Sequence, residues 1–215
     1  MVTTIEVHAK QAGSALGRDS IAPEILKVMR DVPRHEFVPD RLRGDAYADR
    51  PLPIGYGQTI SQPFIVALMT DLLRVRPDAV VLEVGTGSGY QAAVLAHLAR
   101  RVHTIEIVPA LAESAAARLQ RLAYDKVATR LGDGYYGWEE AAPFDGIMVT
   151  AAAGQIPPPL IQQLKPGGRI VIPLGPPFAL QHLVLVERNA DDGRVTTRQL
   201  LPVAFVPLVS GGRQR

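Results

Sequence analysis

Ala79-Val80-Val81-Leu82-Glu83-Val84-Gly85-Thr86-Gly87-Ser88-Gly89-Tyr90 is the stretch that decides the fold. Its first half is a short apolar run rich in β-branched residues, the pattern of a strand covered on both faces. Three glycines at alternate positions then let the backbone turn tightly and approach a ligand beside the start of a helix, read here over 90–99. The dinucleotide fingerprint G-x-G-x-x-G would put its third glycine where this chain has Tyr90, and the Lys-Ser/Thr ending of a phosphate-binding loop is missing. An acid, Glu83, stands two residues before the first glycine.

Downstream, the same alternation continues. Strands are predicted at 102–105, 127–131, 144–150 and 169–172. Helices are predicted at 109–122 and 159–164, the latter stopped by Lys165-Pro166-Gly167-Gly168. This predicts a doubly wound, mostly parallel α/β sheet of Rossmann-like type, closed by a C-terminal antiparallel hairpin of 181–187 and 195–201. Upstream, the spacing predicts a helix over 20–31 capped by Asp19 or Ser20, extended chain over 32–39, a loop over 51–58 and a helix over 62–73. The organisation is one domain over 1–215, with an N-terminal helical extension (1–78) covering the ligand sites of an α/β core (79–215). Residues 1–19 carry no recognisable motif.

Composition narrows the class. With 215 residues, 47% hydrophobic and 20% charged, the chain can bury a core and is not intrinsically disordered. A net charge of +2 gives no electrostatic footprint for nucleic acid. The absence of cysteine excludes disulfides, a thiolate zinc site and a catalytic thiol. The N-terminus lacks the basic and apolar regions of a signal peptide, and no apolar run approaches the roughly 20 residues of a membrane span. The expectation is a cytoplasmic monomer without nucleic-acid, membrane or metal partners. The basic residues are nearly all arginine, with lysine only at 10, 27, 126 and 165.

Three acids follow three consecutive strands: Glu83, then Glu106, then Asp133 in Gly132-Asp133-Gly134. All fall at the carboxyl edge of the sheet, where ligand crevices form. Glu106 can accept both hydroxyls of a ribose, Glu83 suits a cationic ligand end, and Asp133 can accept from an adenine amino group. Singly, each is as well read as a turn former or a solvated strand end. Together, with no phosphate clamp, they point to S-adenosylmethionine, which carries an ammonium, a sulfonium, a ribose and an adenine.

Several blocks closely resemble signatures of the protein-L-isoaspartate O-methyltransferases. They include Ile54-Gly-Tyr-Gly-Gln-Thr-Ile-Ser-Gln-Pro63, Val81-Leu-Glu-Val-Gly-Thr-Gly-Ser-Gly-Tyr-Gln91 and Gly132-Asp-Gly-Tyr-Tyr-Gly-Trp138. Thr150-Ala-Ala-Ala153, Phe205-Val-Pro-Leu208 and Val32-Pro-Arg-His-Glu-Phe-Val-Pro39 extend the likeness over about residues 20–209. The resemblance implies methyl esterification of the α-carboxylate of L-isoaspartyl, and also D-aspartyl, residues in damaged proteins. The cofactor would be S-adenosyl-L-methionine, leaving S-adenosyl-L-homocysteine, and the ester would close to a succinimide that can hydrolyse to normal aspartate.

Carried onto matching positions, the resemblance sets the cofactor against Thr59, Ile60, Glu83, Gly85, Thr86, Gly87, Ser88, Glu106, Ile107, Asp133 and Gly134. Substrate would meet Thr59, Ser61, Ala152, Val206, Pro207 and Leu208. Ser61 would be the active-site residue, holding the acceptor carboxylate by a hydrogen bond; it is equally an N-cap for the following helix. Read alone, 205–208 is an apolar edge strand; Tyr135 and Trp138 pack, and Arg34 and His35 solvate a turn. An O-methyltransferase of small molecules or of another protein carboxylate is the alternative, and a non-catalytic cofactor-binding module a further one. Glycine spacing disfavours a nicotinamide oxidoreductase.

Overall fold

The computed structural model describes residues 1–177 and 179–211; Gly212 to Arg215, part of the expected 1–215 unit, lie outside the described residues. The chain opens with α1 (Val2–Gln11), α2 (Gly13–Leu16) and α3 (Pro23–Asp31). A hairpin of β1 (Leu52–Gly55) and β2 (Gln58–Ile60) follows, and then α4 (Pro63–Leu73). The core alternates β3 (Val80–Val84), α5 (Tyr90–Ala96), β4 (Arg101–Glu106), α6 (Pro109–Arg121) and β5 (Val127–Leu131). It continues with β6 (Phe144–Val149), α7 (Pro158–Gln162), β7 (Leu164–Leu174), β8 (Gln181–Arg188) and β9 (Val195–Val203).

Seven of these strands form one sheet in the order β5-β4-β3-β6-β7-β8-β9. Strands β3 to β7 run parallel to one another, while β8 and β9 fold back antiparallel as a meander at one edge. From β3 the chain first winds outward through β4 and β5, then returns to the other side through β6 and β7. That reversal puts a crevice between the carboxyl ends of β3 and β6.

The expected doubly wound sheet and its terminal hairpin are both present. Strand β3 is buried from Val81 to Val84, which accounts for its unbroken apolar sequence. Helix α4 is buried at every position, Thr70 and Asp71 included. Thr70 satisfies its hydroxyl by donating to the Val66 carbonyl at 2.7 Å and accepting from Gln91 Nε2 at 3.0 Å. Ile5 and Ala9 of α1 join the same hydrophobic cluster as Met29, Phe37, Val81 and Val102, so the extension and the sheet share one core.

Upstream, the structure corrects several expectations. Helices α1 and α2 belong to the expected N-terminal helical extension, but the 51–58 segment is part of a hairpin rather than a loop. Helix α3 starts only at Pro23, with Ala22 at its N-cap and no side-chain cap from Asp19 or Ser20; proline at the first position preorganises it instead. The 32–39 segment contains a 3-10 turn over Arg34–Phe37 rather than extended chain. Downstream, the Lys165-Pro-Gly-Gly168 stop lies inside β7, which bulges against β6 there and begins pairing five residues before Arg169. The 205–208 segment is no edge strand; it makes a single parallel bridge, Pro207 to Ala152.

Candidate active site

Two narrow slots and one wide cleft meet above the crevice. One slot, about 40 Å³, is lined by Ile60, Glu83, Thr86, Ser88 and Tyr90 among others. The other, about 60 Å³, is lined by Glu106, Ile107, Gly134 and the 206–209 segment. Gly85 and Gly87 border both. The cleft, about 720 Å³, opens beside them and includes Ser61 and Val206. Among the described residues, Thr59 and Thr150 alone line all three spaces.

Glu83 lies at the end of β3 and is fully buried. Its Oε2 accepts from the Thr104 hydroxyl at 2.6 Å, and Thr104 lies directly opposite on β4. The hydroxyl of Thr86 is 2.7 Å from that of Thr104. Thr104 spends its proton on Glu83, so Thr86 donates to Thr104. Among the described residues Glu83 Oε1 has no partner. Burial is the largest influence on this carboxyl and pushes its pKa up to about 8, with the nearby Glu106 adding to the rise. A buried acid with an orphan oxygen, facing a slot, is a receptor for a cation.

Glu106 holds the glycine loop in place. Its Oε2 accepts from Gly87 N at 2.8 Å and its Oε1 from Val108 N at 3.0 Å. Gly85, Gly87 and Gly89 all have positive φ, which explains why side-chain-bearing residues are avoided there. At Gly85 there is a second reason: an added Cβ would lie 2.4 Å from Thr150 Oγ1. Thr150, at the end of β6, has its hydroxyl 2.7 Å from the Gly85 carbonyl and 3.0 Å from that of Val84. It thereby ties the two strands of the switch point together.

Asp133 is engaged elsewhere than expected. Its Oδ1 accepts from Tyr135 N at 2.9 Å, capping the 3-10 turn Gly134–Tyr136. Its Oδ2 accepts from Ser210 Oγ at 2.7 Å and Gly211 N at 3.0 Å, pinning the chain near its end. Pro207 and Leu208 line the slot with Glu106, and only Val206 of that block also lines the cleft. Ala152 is buried, and its main chain is committed: its N–H donates to Val206 O and its carbonyl accepts from Leu208 N, both at 2.8 Å. It supports 206–208 rather than facing the cleft. Trp138 packs, edge-on to His103 at 5.0 Å and under the Arg130 guanidinium at 5.2 Å.

Ser61 is not a helix cap. The N-cap of α4 is Gln62, whose side chain makes no cap bond. The capping oxygen comes from Asp49, which accepts from Phe64 N at 2.8 Å through Oδ1. Its other oxygen accepts from Gln62 Nε2 at 2.9 Å and meets His8 Nδ1 at 2.5 Å. Relieved of capping, Ser61 lines both the cleft and the Glu83 slot.

Arg34 overturns its assignment to a solvated turn: it is 0% exposed. Its Nε donates to the Ala46 carbonyl and its Nη2 to the Ser61 carbonyl, each at 2.7 Å. The guanidinium lies 4.7 Å from the centre of the Tyr90 ring. Tyr90 begins α5 directly after the glycine loop, so this buried cation links the Ser61 segment to the cofactor-side helix. Burial draws the Arg34 pKa down, opposed by Tyr90. His35, by contrast, is exposed and bonded to Tyr47 at 2.6 Å, as a turn residue would be.

Thr104, Thr150, Asp49 and Arg34 went unassigned as site-forming residues in the sequence. Thr150 was findable, since it ends the strand beyond the switch point. The other three depend on pairing register or on contacts between distant segments.

The sheet order, the glycine turn at the switch point and the two acids around it define a nucleoside-binding α/β fold of the methyltransferase class. The chain matches the family described as protein-L-isoaspartate(D-aspartate) O-methyltransferase (PCMT) over residues 16–213 and belongs to that family. It is 62% identical over 98% of its length to protein-L-isoaspartate O-methyltransferase 2 of Syntrophobacter fumaroxidans, covering 85% of that protein. It is likewise 62% identical to protein-L-isoaspartate O-methyltransferase 2 of a Polaromonas species, over 97% of this chain and 98% of that one. Among solved structures, a protein-L-isoaspartate O-methyltransferase superposes with a TM-score of 0.81 at 28% identity; 96% of this chain matches 65% of that one. A Plasmodium falciparum protein assigned to the same activity, in complex with S-adenosyl-L-homocysteine, gives a TM-score of 0.77 at 25% identity, covering 96% and 97% of the two chains.

Proposed function

We propose that this chain methylates the α-carboxylate of L-isoaspartyl residues, and of D-aspartyl residues, in damaged proteins and peptides, using S-adenosyl-L-methionine. The observation that carries the reading is the junction at Thr59 and Thr150, where two narrow slots lined by acids and glycines adjoin a cleft wide enough for a peptide. The site fits the cofactor: the orphan oxygen of Glu83 suits an ammonium. The Glu106 carboxylate lines the other slot, where ribose hydroxyls would lie. Asp133 keeps acceptor capacity for an adenine amino group, since three donors occupy about four lone-pair positions.

When bound, the cofactor supplies a methyl group on a sulfonium. Held by Glu83 and Glu106, it would supply that methyl to an acceptor oxygen, with the S–CH3 bonding pair staying on sulfur. The acceptor, a carboxylate with a pKa near 4, is already ionised at neutral pH, so no general base is required. The protein's task is alignment and exclusion of water, which can lower a barrier by up to roughly 7–11 kcal/mol. Ser61 and Thr59 hold the acceptor carboxylate by hydrogen bonds at the junction. Arg34 positions Ser61 through its carbonyl. Hairpin β1–β2 and the 206–208 segment cover the slots, the former with Ile54 Cδ1 only 3.4 Å from where a Gly87 Cβ would stand. The reading includes a cytoplasmic monomer; among the described residues no helix is long and apolar enough to cross a membrane.

Purified protein with labelled S-adenosylmethionine is expected to label an isoaspartyl peptide and not its aspartyl twin. Equal labelling of both, or of neither, overturns the reading.

A further inference from the structure

Helix α1 lies wholly before residue 16, where the family match begins, yet it reaches the site. His8, Gln11 and Ala12, at its C-terminal end, form one wall of the 720 Å³ cleft. Leu201, Val203 and Phe205, from β9 and the segment after it, and Phe64 and Ile65 of α4 also line the cleft. Among the described residues no Asp, Glu, Lys or Arg lines this cleft, although such residues make up 20% of the chain. Its one titratable side chain, His8, has its Nδ1 turned to Asp49 and its ring edge-on to Phe64 at 5.6 Å. The cleft is therefore a mainly apolar trough that runs into the junction at Thr59, Ser61 and Thr150.

We infer that α1 is a specificity wall: the cleft takes apolar side chains flanking the modified residue of an extended acceptor peptide, so isoaspartyl sites in hydrophobic stretches are preferred. This rests on the proposed methylation and specifies its substrate class. Continuity with Ser61 argues for the acceptor chain as occupant, because a peptide presenting its carboxylate there must lay its neighbouring residues somewhere along this trough. Isoaspartyl residues in apolar stretches become reachable when a damaged protein loses its packing. The cleft thus favours partly unfolded clients over sites on charged surface loops.

The test compares two isoaspartyl peptides that differ only in the flanking residues, leucine in one and glutamate in the other. For the unmodified protein the leucine peptide is expected to show a KM about tenfold lower, as burial of one such side chain allows. Gln11 is exposed, so Gln11→Arg leaves packing intact; it is expected to narrow that ratio by about twofold to fivefold, through KM rather than kcat. Ala12→Leu, which narrows the trough, is expected to raise KM for the leucine peptide more than for the glutamate peptide. Equal KM values for both peptides, or a ratio that Gln11→Arg does not move, overturn the inference. Calorimetry of both peptides on protein saturated with S-adenosyl-L-homocysteine reads the same preference without turnover, so failure of methylation and failure of the cleft assignment are distinguishable. A dimer that Gln11→Arg dissociates, with no peptide preference, assigns the cleft to a second copy and also overturns it.

Discussion

The cofactor side and the acceptor side of this site are built by different means. Around the slots, most polar groups are fixed within a span of about fifty residues: Glu83 on Thr104, Glu106 on Gly87 and Val108, Asp133 on Tyr135, with Thr150 and the Asp133 bonds to Ser210 and Gly211 as the longer ties. Each of the shorter-range bonds joins a strand end to the loop after it or to the neighbouring strand. Around the cleft, segments from both ends of the chain converge; on the N-terminal side the groups that tie them are one buried cation, Arg34, and one buried carboxylate, Asp49. The first side is rigid because its bonds are mostly local and numerous. The second depends on a few long-range contacts, each of which carries more consequence.

The sharpest way to break this contrast is at Arg34. Arg34→Met removes both donors and leaves the Ala46 and Ser61 carbonyls unpaired in the core. It is expected to lower unfolding free energy by about 3–5 kcal/mol, read by denaturant titration. Arg34→Lys, which cannot span both carbonyls, is expected to fold but to lose turnover; unchanged kcat in the lysine variant would show that Ser61 needs no such support.

Glu106→Ala comes next, on the local side. It should weaken S-adenosylmethionine binding by about 1–3 kcal/mol, measured by calorimetry. An unchanged affinity would remove Glu106 from the ribose position and leave it only its role in shaping the loop.

Asp49→Ala removes the cap of α4 and the partner of His8, with an expected loss of about 1–2 kcal/mol in stability. The same variant should raise peptide KM without changing cofactor affinity. If cofactor affinity falls instead, the two sides are not independent.

Glu83 gives the effect most specific in kind. With its pKa pushed up to about 8, this group is protonated near pH 7 in the ligand-free protein. A bound ammonium favours the carboxylate, so cofactor binding should release up to about one proton, visible as a dependence of binding enthalpy on buffer. The sign for stability follows from the same shift. Between the ordinary value of 4.5 and about 8 the folded state holds a proton that the unfolded state has lost. This contribution therefore destabilises the ligand-free protein progressively as pH rises through that window. Glu83→Gln should abolish both the proton release and the pH slope. An unaltered proton count in that variant would place the titrating group elsewhere.

The same contrast explains what the sequence disclosed. Glu83, the glycines and Glu106 were legible because strand, turn and strand end follow one another in order, so spacing alone places them at one sheet edge. Asp133 was legible in position but not in partners, because Ser210 and Gly211 lie 77 and 78 residues away. Ser61 could be read as a cap only until Asp49 was seen supplying the oxygen. Arg34, between prolines and beside a histidine, looks like a turn residue by every local rule; its burial is decided by Ala46, Ser61 and Tyr90. Helix α1 gives only a weak amphipathic signal, since Ile5 and Ala9 are its only buried residues.

The preponderance of arginine over lysine also finds a structural use. Arg34, Arg118, Arg169 and Arg188 each donate to a main-chain carbonyl in a distant segment: Ala46 and Ser61, Ser88, Leu72, and Leu164 respectively. Arg169 holds Glu187 at the same time, as a forked guanidinium can and a single ammonium does less well. A carbonyl is a neutral partner, so these ties are not weakened by dissolved ions in the way that exposed ion pairs are. The fold should therefore keep most of its thermal stability in concentrated salt, where a protein fastened by surface lysine–carboxylate pairs would lose part of its own.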